Sequence, residues 1–146
     1  MLGAQIAEGK GKRTGRRVIA TKPMLEVEAT VEELGTLLGI QGVNIITYRA
    51  TIKPDGSLDG QGEGAFATPD GDIVTWRGIG VGRFVEGGAM QYCGSLSYTT
   101  TSQKFTKLNG VAGVFQWSID AEGNTHSQIF EMAPAGVAAK STGAGA

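Results

Sequence analysis

Apolar and polar positions alternate with a period of two along much of this chain, and the alternation predicts strands. In 73–84, Trp76, Gly78, Gly80, Gly82 and Phe84 share one face, while Ile73, Thr75, Arg77, Ile79, Val81 and Arg83 share the other. In 111–119 the strong apolar set is Val111, Gly113, Phe115, Trp117 and Ile119. In 89–101 the bulky residues Tyr92, Leu96 and Tyr98 oppose Cys93, Ser95, Ser97 and Thr99. Gly60, Gly62 and Gly64 lead to Phe66 in the same way. Leu25, Val27, Ala29 and Val31 alternate with Glu26, Glu28, Thr30 and Glu32, which reads as a strand, although Glu and Leu would also suit a short helix.

Turn clusters separate these segments: Pro54-Asp55-Gly56, Pro69-Asp70-Gly71-Asp72, Glu86-Gly87-Gly88 and Ala121-Glu122-Gly123-Asn124. Connections this short join antiparallel neighbours, because a parallel crossover needs a dozen or more residues. The predicted strands are 43–53, 57–68, 73–84, 89–101, 111–120 and 125–132, with a longer loop at 102–109. The N-terminal part adds two or three more: 4–7 and 16–21, divided at Gly9-Lys10-Gly11, and 25–31. Residues 33–42 read as an apolar loop lying across one end of the fold. Eight or nine antiparallel strands with few helix signals predict an all-β chain, an antiparallel up-and-down β-barrel of about eight strands, since closure removes exposed edges. The expected domain is 1–132, followed by a flexible Ala- and Gly-rich tail at 133–146.

Composition narrows the function classes. High glycine (24 residues) with only 4 prolines fits a twisted, tightly turned sheet rather than a disordered chain. The formal net charge of −1 gives no field that would seek a polyanion. Lys10, Lys12, Arg13, Arg16 and Arg17 form a basic cluster, but no aromatic residue interleaves to stack bases, so a solvated hairpin is expected and no nucleic-acid partner. One cysteine excludes an internal disulfide, and no apolar run approaches the length of a membrane helix. A cytoplasmic protein without a membrane partner is the expectation.

The candidate chemistry is sparse. Gly78-Ile79-Gly80-Val81-Gly82 and Gly60-Gln61-Gly62-Glu63-Gly64 have no helix after them, so they lack the amide-lined helix start of a phosphate loop. Cys93 and His126 are the only Cys and His, too few for a metal site, and Cys93 has no basic neighbour in sequence. Neither metal nor cofactor is expected. Glu63 and Glu28 are the candidate catalytic residues, because a carboxylate inside an apolar barrel would titrate high enough to act as acid or base; alternatively they face solvent or pair with Arg49 or Arg77. The glycine faces leave troughs between aromatic rings. Either rings from other strands fill them, or the space stays open for an apolar ligand. The candidate ligand-binding residues are Tyr48, Trp76, Phe84, Tyr92, Tyr98, Phe115 and Trp117.

The strand pair carrying Gly60–Phe66 and Trp76–Phe84, and the stretch Tyr92-Cys93-Gly94-Ser95-Leu96-Ser97-Tyr98 leading through Lys107-Leu108-Asn109-Gly110-Val111 to Phe115, resemble the allene oxide cyclase-like β-barrels and their uncharacterised bacterial relatives. The resemblance covers about residues 40–132. It implies a barrel with an apolar cavity, often assembled as a dimer or trimer, in which plant members cyclise an unstable fatty-acid epoxide with a pocket glutamate. The expected function is a small barrel that binds a small apolar ligand in its lumen. The alternatives are a cyclase or isomerase with a pocket carboxylate, and a structural, homo-oligomeric barrel without ligand.

Overall fold

Eight antiparallel strands run round in chain order and close, β8 pairing with β1. They are β1 (Leu2–Ala20), β2 (Leu25–Leu37), β3 (Ile40–Ile52), β4 (Leu58–Ala67), β5 (Ile73–Phe84), β6 (Met90–Thr99), β7 (Ala112–Ile119) and β8 (Asn124–Met132). This computed structural model describes residues 2–132, so the tail expected at 133–146 lies outside the described residues. The up-and-down barrel is the architecture read from the alternation and the tight turns.

Two N-terminal expectations are corrected. Residues 33–42 are not a loop. β2 continues to Leu37 and β3 begins at Ile40, with Leu37 opposite Ile40 and the register unbroken to Leu25 opposite Ile52. The turn is Leu38-Gly39 alone, with φ of 49° and 79°. Two consecutive left-handed residues give the tight turn whose twist matches a hairpin, and glycine supplies the second at no steric cost. Gly35 and Gly42 lie opposite each other inside the ladder. Residues 4–7 and 16–21 are likewise not separate strands. β1 is one strand of 19 residues through Gly9-Lys10-Gly11, with register shifts after Arg13 and Val18. Tertiary packing, described below, explains why glycine stands there.

The end of the barrel is closed from elsewhere. The segment read as a loop at 102–109 forms a short 3-10 helix, Gln103–Gly110, between β6 and β7. Its Phe105 and Leu108 are fully buried against Ile6, Leu37, Phe66, Val74 and Tyr98. Phe105 meets Phe66 edge to face at 6.2 Å. At the opposite end Val31, Leu58 and Ile119 are fully buried.

Between these two ends the inner wall alternates large and small. Trp76 lies opposite Gly64, Tyr48 opposite Gly62, Tyr92 opposite Gly82, and Phe115 opposite Gly94. Leu96 lies between Gly78 and Gly113. Each large side chain leans over a position that has no Cβ, which is how a barrel this narrow fits several rings at the same depth. At Gly64 a Cβ would fall inside the Trp76 indole.

Candidate functional site: the barrel lumen

The inner wall does not fill completely. A cavity of about 110 Å³ remains, bordered by Ile46, Tyr48, Phe66, Trp76, Tyr92, Leu96, Tyr98, Phe115, Trp117 and Ile129, and by the inward glycines Gly60, Gly62, Gly78 and Gly80. Most of this lining is apolar. A dry apolar cavity of about 150 Å³ holds one benzene, so a guest here is limited to about five or six heavy atoms.

Tyr48, Tyr92 and Trp117 form one aromatic cluster against the cavity. Tyr48 meets Trp117 edge to face at 5.0 Å, Tyr92 lies 5.4 Å from Trp117, and the two tyrosines are 6.3 Å apart. Burial pushes the phenol of Tyr92 well above its usual range, with the neighbouring Tyr48 adding to the effect. Burial alone does the same to Tyr98. Tyr48 is also raised by burial, and the guanidinium of Arg13 opposes the shift. All three rings are therefore neutral amphipathic wall groups. Trp76 donates its indole N–H to Oδ1 of Asn44 at 3.0 Å, which fixes the indole plane over Gly64.

Two carboxylates border the cavity, Glu8 and Glu33; Glu8 pairs with His126, and Glu33 is the buried one. Its side chain is about 1% exposed. Oε2 accepts the Trp117 indole N–H at 3.1 Å and the Thr125 hydroxyl at 2.7 Å, and Oε1 accepts the Ser127 hydroxyl at 2.6 Å. These donors stand on β7 and β8, whereas Glu33 stands on β2, with β1 between. The register shows how the gap is crossed. Glu33 is opposite Gly11 and Gly35 is opposite Gly9, while across β1 Gly9 faces Ser127 and Gly11 faces Thr125. β1 presents no side chain where the glutamate passes over it. A Cβ on Gly9 would lie 2.7 Å from Oε1 of Glu33. The glycines that had suggested a break in β1 thus make room for this carboxylate.

The sequence-derived candidates divide between the two faces. Tyr48, Trp76, Tyr92, Tyr98, Phe115 and Trp117 all border the cavity. Phe84 does not; it is half exposed at the end of β5, beyond the last ring layer. Glu63 and Glu28 stand on the outer face. Glu63 alternates with the inward Gly62 and Gly64, and pairs with Arg77 at 2.9 Å. Glu28 alternates with buried Ala29 and pairs with Arg49 at 2.9 Å and Arg17 at 3.0 Å. Arg49, with Arg17, holds the Glu28 carboxyl below its usual range. Cys93 is exposed, and His126 pairs with Glu8 at 2.7 Å beside β1. Among the described residues no group of three or more His, Cys, Asp or Glu gathers to hold a metal ion.

Glu33 was missed although a signal for it exists. The apolar face Leu25, Val27, Ala29, Val31 continues in step to Glu33, Gly35 and Leu37. A charged residue on an apolar strand face is the informative exception. Ending the strand near residue 31 removed it from view.

No family model matches the chain, and no curated protein does. Solved structures do. A conserved protein of unknown function from Rhodopseudomonas palustris is 12% identical, with 90% of this chain and 99% of that one covered at a TM-score of 0.74. A protein of unknown function from Clostridium acetobutylicum is 12% identical, covering 89% and 98%, at 0.77. A β-barrel-like protein from Acinetobacter baumannii is 11% identical, covering 90% and 94%, at 0.75. At this identity the likeness is one of fold.

Proposed function

We propose that the protein binds a small, mostly apolar molecule in the barrel lumen. The observation that carries this reading is the 110 Å³ cavity itself, walled by aromatic and aliphatic side chains and left unfilled in an otherwise closely interlocked interior. Natural interiors pack to near-crystalline density, and an unfilled space loses contacts along its whole lining. A guest recovers those contacts. The size argues against a long-chain fatty acid or its epoxide and for a guest no larger than one ring.

Thermal unfolding with a size-graded set tests the reading. Cyclopentane should raise the melting temperature, since a ligand that binds only the folded state at about 100 times its Kd adds about 2.7 kcal/mol. Hexadecanoate should have no effect. No response to any small apolar compound would end the proposal.

A second reading has its own observation. Glu33 places a carboxylate at the cavity edge, the position that acid–base chemistry on an apolar substrate requires. Such an isomerase would act on a molecule of the same small size. Turnover that survives Glu33→Gln would exclude it.

A further inference from the structure

We propose that the guest is a small alkylammonium ion, its apolar body in the cavity and one N–H on Oε1 of Glu33. This deepens the lumen-binding reading and rests on it. A carboxylate offers about four acceptor positions. Three are used, two on Oε2 and one on Oε1, so the unused position is on Oε1. Gly9 lets the carboxyl lie against β1 beside the cavity, since a Cβ there would stand 2.7 Å from Oε1.

The three groups that hold Glu33 are all neutral. The Trp117 indole can only donate, so Oε2 is committed as an acceptor. Among the described residues no Lys, Arg or His nitrogen pairs with this carboxylate; the ion pairs all involve other acids. Arg13 and Arg16, opposite the buried Val31 and Ala29, act on the Tyr48 hydroxyl, Arg13 as its hydrogen-bond partner. A cation entering the cavity would find in Glu33 an acidic group held only by neutral donors, and buried charges are normally paired. The surrounding walls suit a cation. Trp117, Tyr48 and Trp76 border the same cavity, and aromatic faces attract ammonium groups. An alkylamine is protonated at neutral pH, like a lysine side chain. A neutral alcohol of the same shape could donate the same hydrogen bond but would bring no charge.

The test is calorimetric titration of the full chain with isobutylamine hydrochloride, isobutanol and cyclopentane, at neutral pH and constant ionic strength. Isobutylammonium should bind at least about 10-fold more tightly than isobutanol, because charge-assisted hydrogen bonds are about twice as strong as neutral ones. Glu33→Gln keeps the size and an acceptor oxygen, and should bring the two ligands within about 3-fold of each other. Gly9→Ala should displace the Glu33 carboxyl and weaken isobutylammonium more than cyclopentane, which keeps the test decisive should Glu33→Gln fail to fold. Isobutanol binding as tightly as the amine, or an amine preference that survives Glu33→Gln, overturns the ammonium assignment and leaves the lumen reading standing. Failure of all three ligands, cyclopentane included, removes both.

Discussion

Gly62 and Gly64 are neighbours on the inward face of β4, yet adding one methyl group to each should have opposite effects. At Gly62 a Cβ would meet the Thr47 carbonyl and the Tyr48 Cβ at 3.4 Å and the Trp76 ring at 3.7 Å, all ordinary contacts, and the residue borders the cavity. Gly62→Ala then adds a methyl group at the cavity wall with ordinary contacts and no clash. Gly→Ala at an unstrained position restricts the unfolded chain, worth about 0.4–1 kcal/mol. Burying the methyl adds up to about 0.8 kcal/mol. The sum is a stabilisation of about 1 kcal/mol, or about 2–4 °C in Tm for a domain of this size. At Gly64 the new Cβ would overlap the Trp76 indole, which is held by Asn44. Gly64→Ala has to displace that ring, and overpacking of this kind costs about 1–3 kcal/mol. Urea unfolding of both variants gives the two signs directly, and cyclopentane titration of Gly62→Ala should show weakened binding. If both variants destabilise equally, the space beside Gly62 is not open and the lumen argument loses its ground.

Phe105→Ala should cost about 3–5 kcal/mol in urea unfolding, the usual range for a buried phenylalanine, because this ring seals the barrel end while fully buried; a cost under about 1 kcal/mol would show that the 3-10 helix does not close the barrel. All three tyrosines are raised above their ordinary value by burial. The unfolded chain therefore releases those protons first, so their contribution to stability is full below about pH 10 and is lost as pH rises further. Tyrosinate absorbance and far-ultraviolet circular dichroism should change together in one alkaline transition. Normal phenol titration with the sheet intact would contradict the buried placement.

The barrel was legible because its evidence is local. Period-two alternation in 73–84 and 111–119 sets the inward face, and Asp-Gly turns set the antiparallel order, so the aromatic wall of Trp76, Tyr92, Phe115 and Trp117 could be named from sequence. What was not legible depends on contacts distant in sequence. Glu33 meets Ser127 across 94 residues, and only the closure of β8 onto β1 brings them together. The same closure explains Gly9 and Gly11, whose absent side chains matter to a glutamate on the next strand and not to β1 itself. Glu63 was attractive because it sits among glycines, but a shift of one position along a strand reverses the face. The 3-10 plug was hidden for another reason: Phe105 and Leu108 lie in a stretch of Lys, Thr and Asn too short to show periodicity.

Xenon partitions into empty apolar cavities and not into filled ones. A crystal of the protein pressurised with xenon therefore tests most directly whether the lumen is open. A single xenon site among Trp76, Leu96 and Phe115, well separated from the outer face, is the expected result. A lumen without xenon, with the rings of Tyr92 or Phe115 swung into the space, would contradict it.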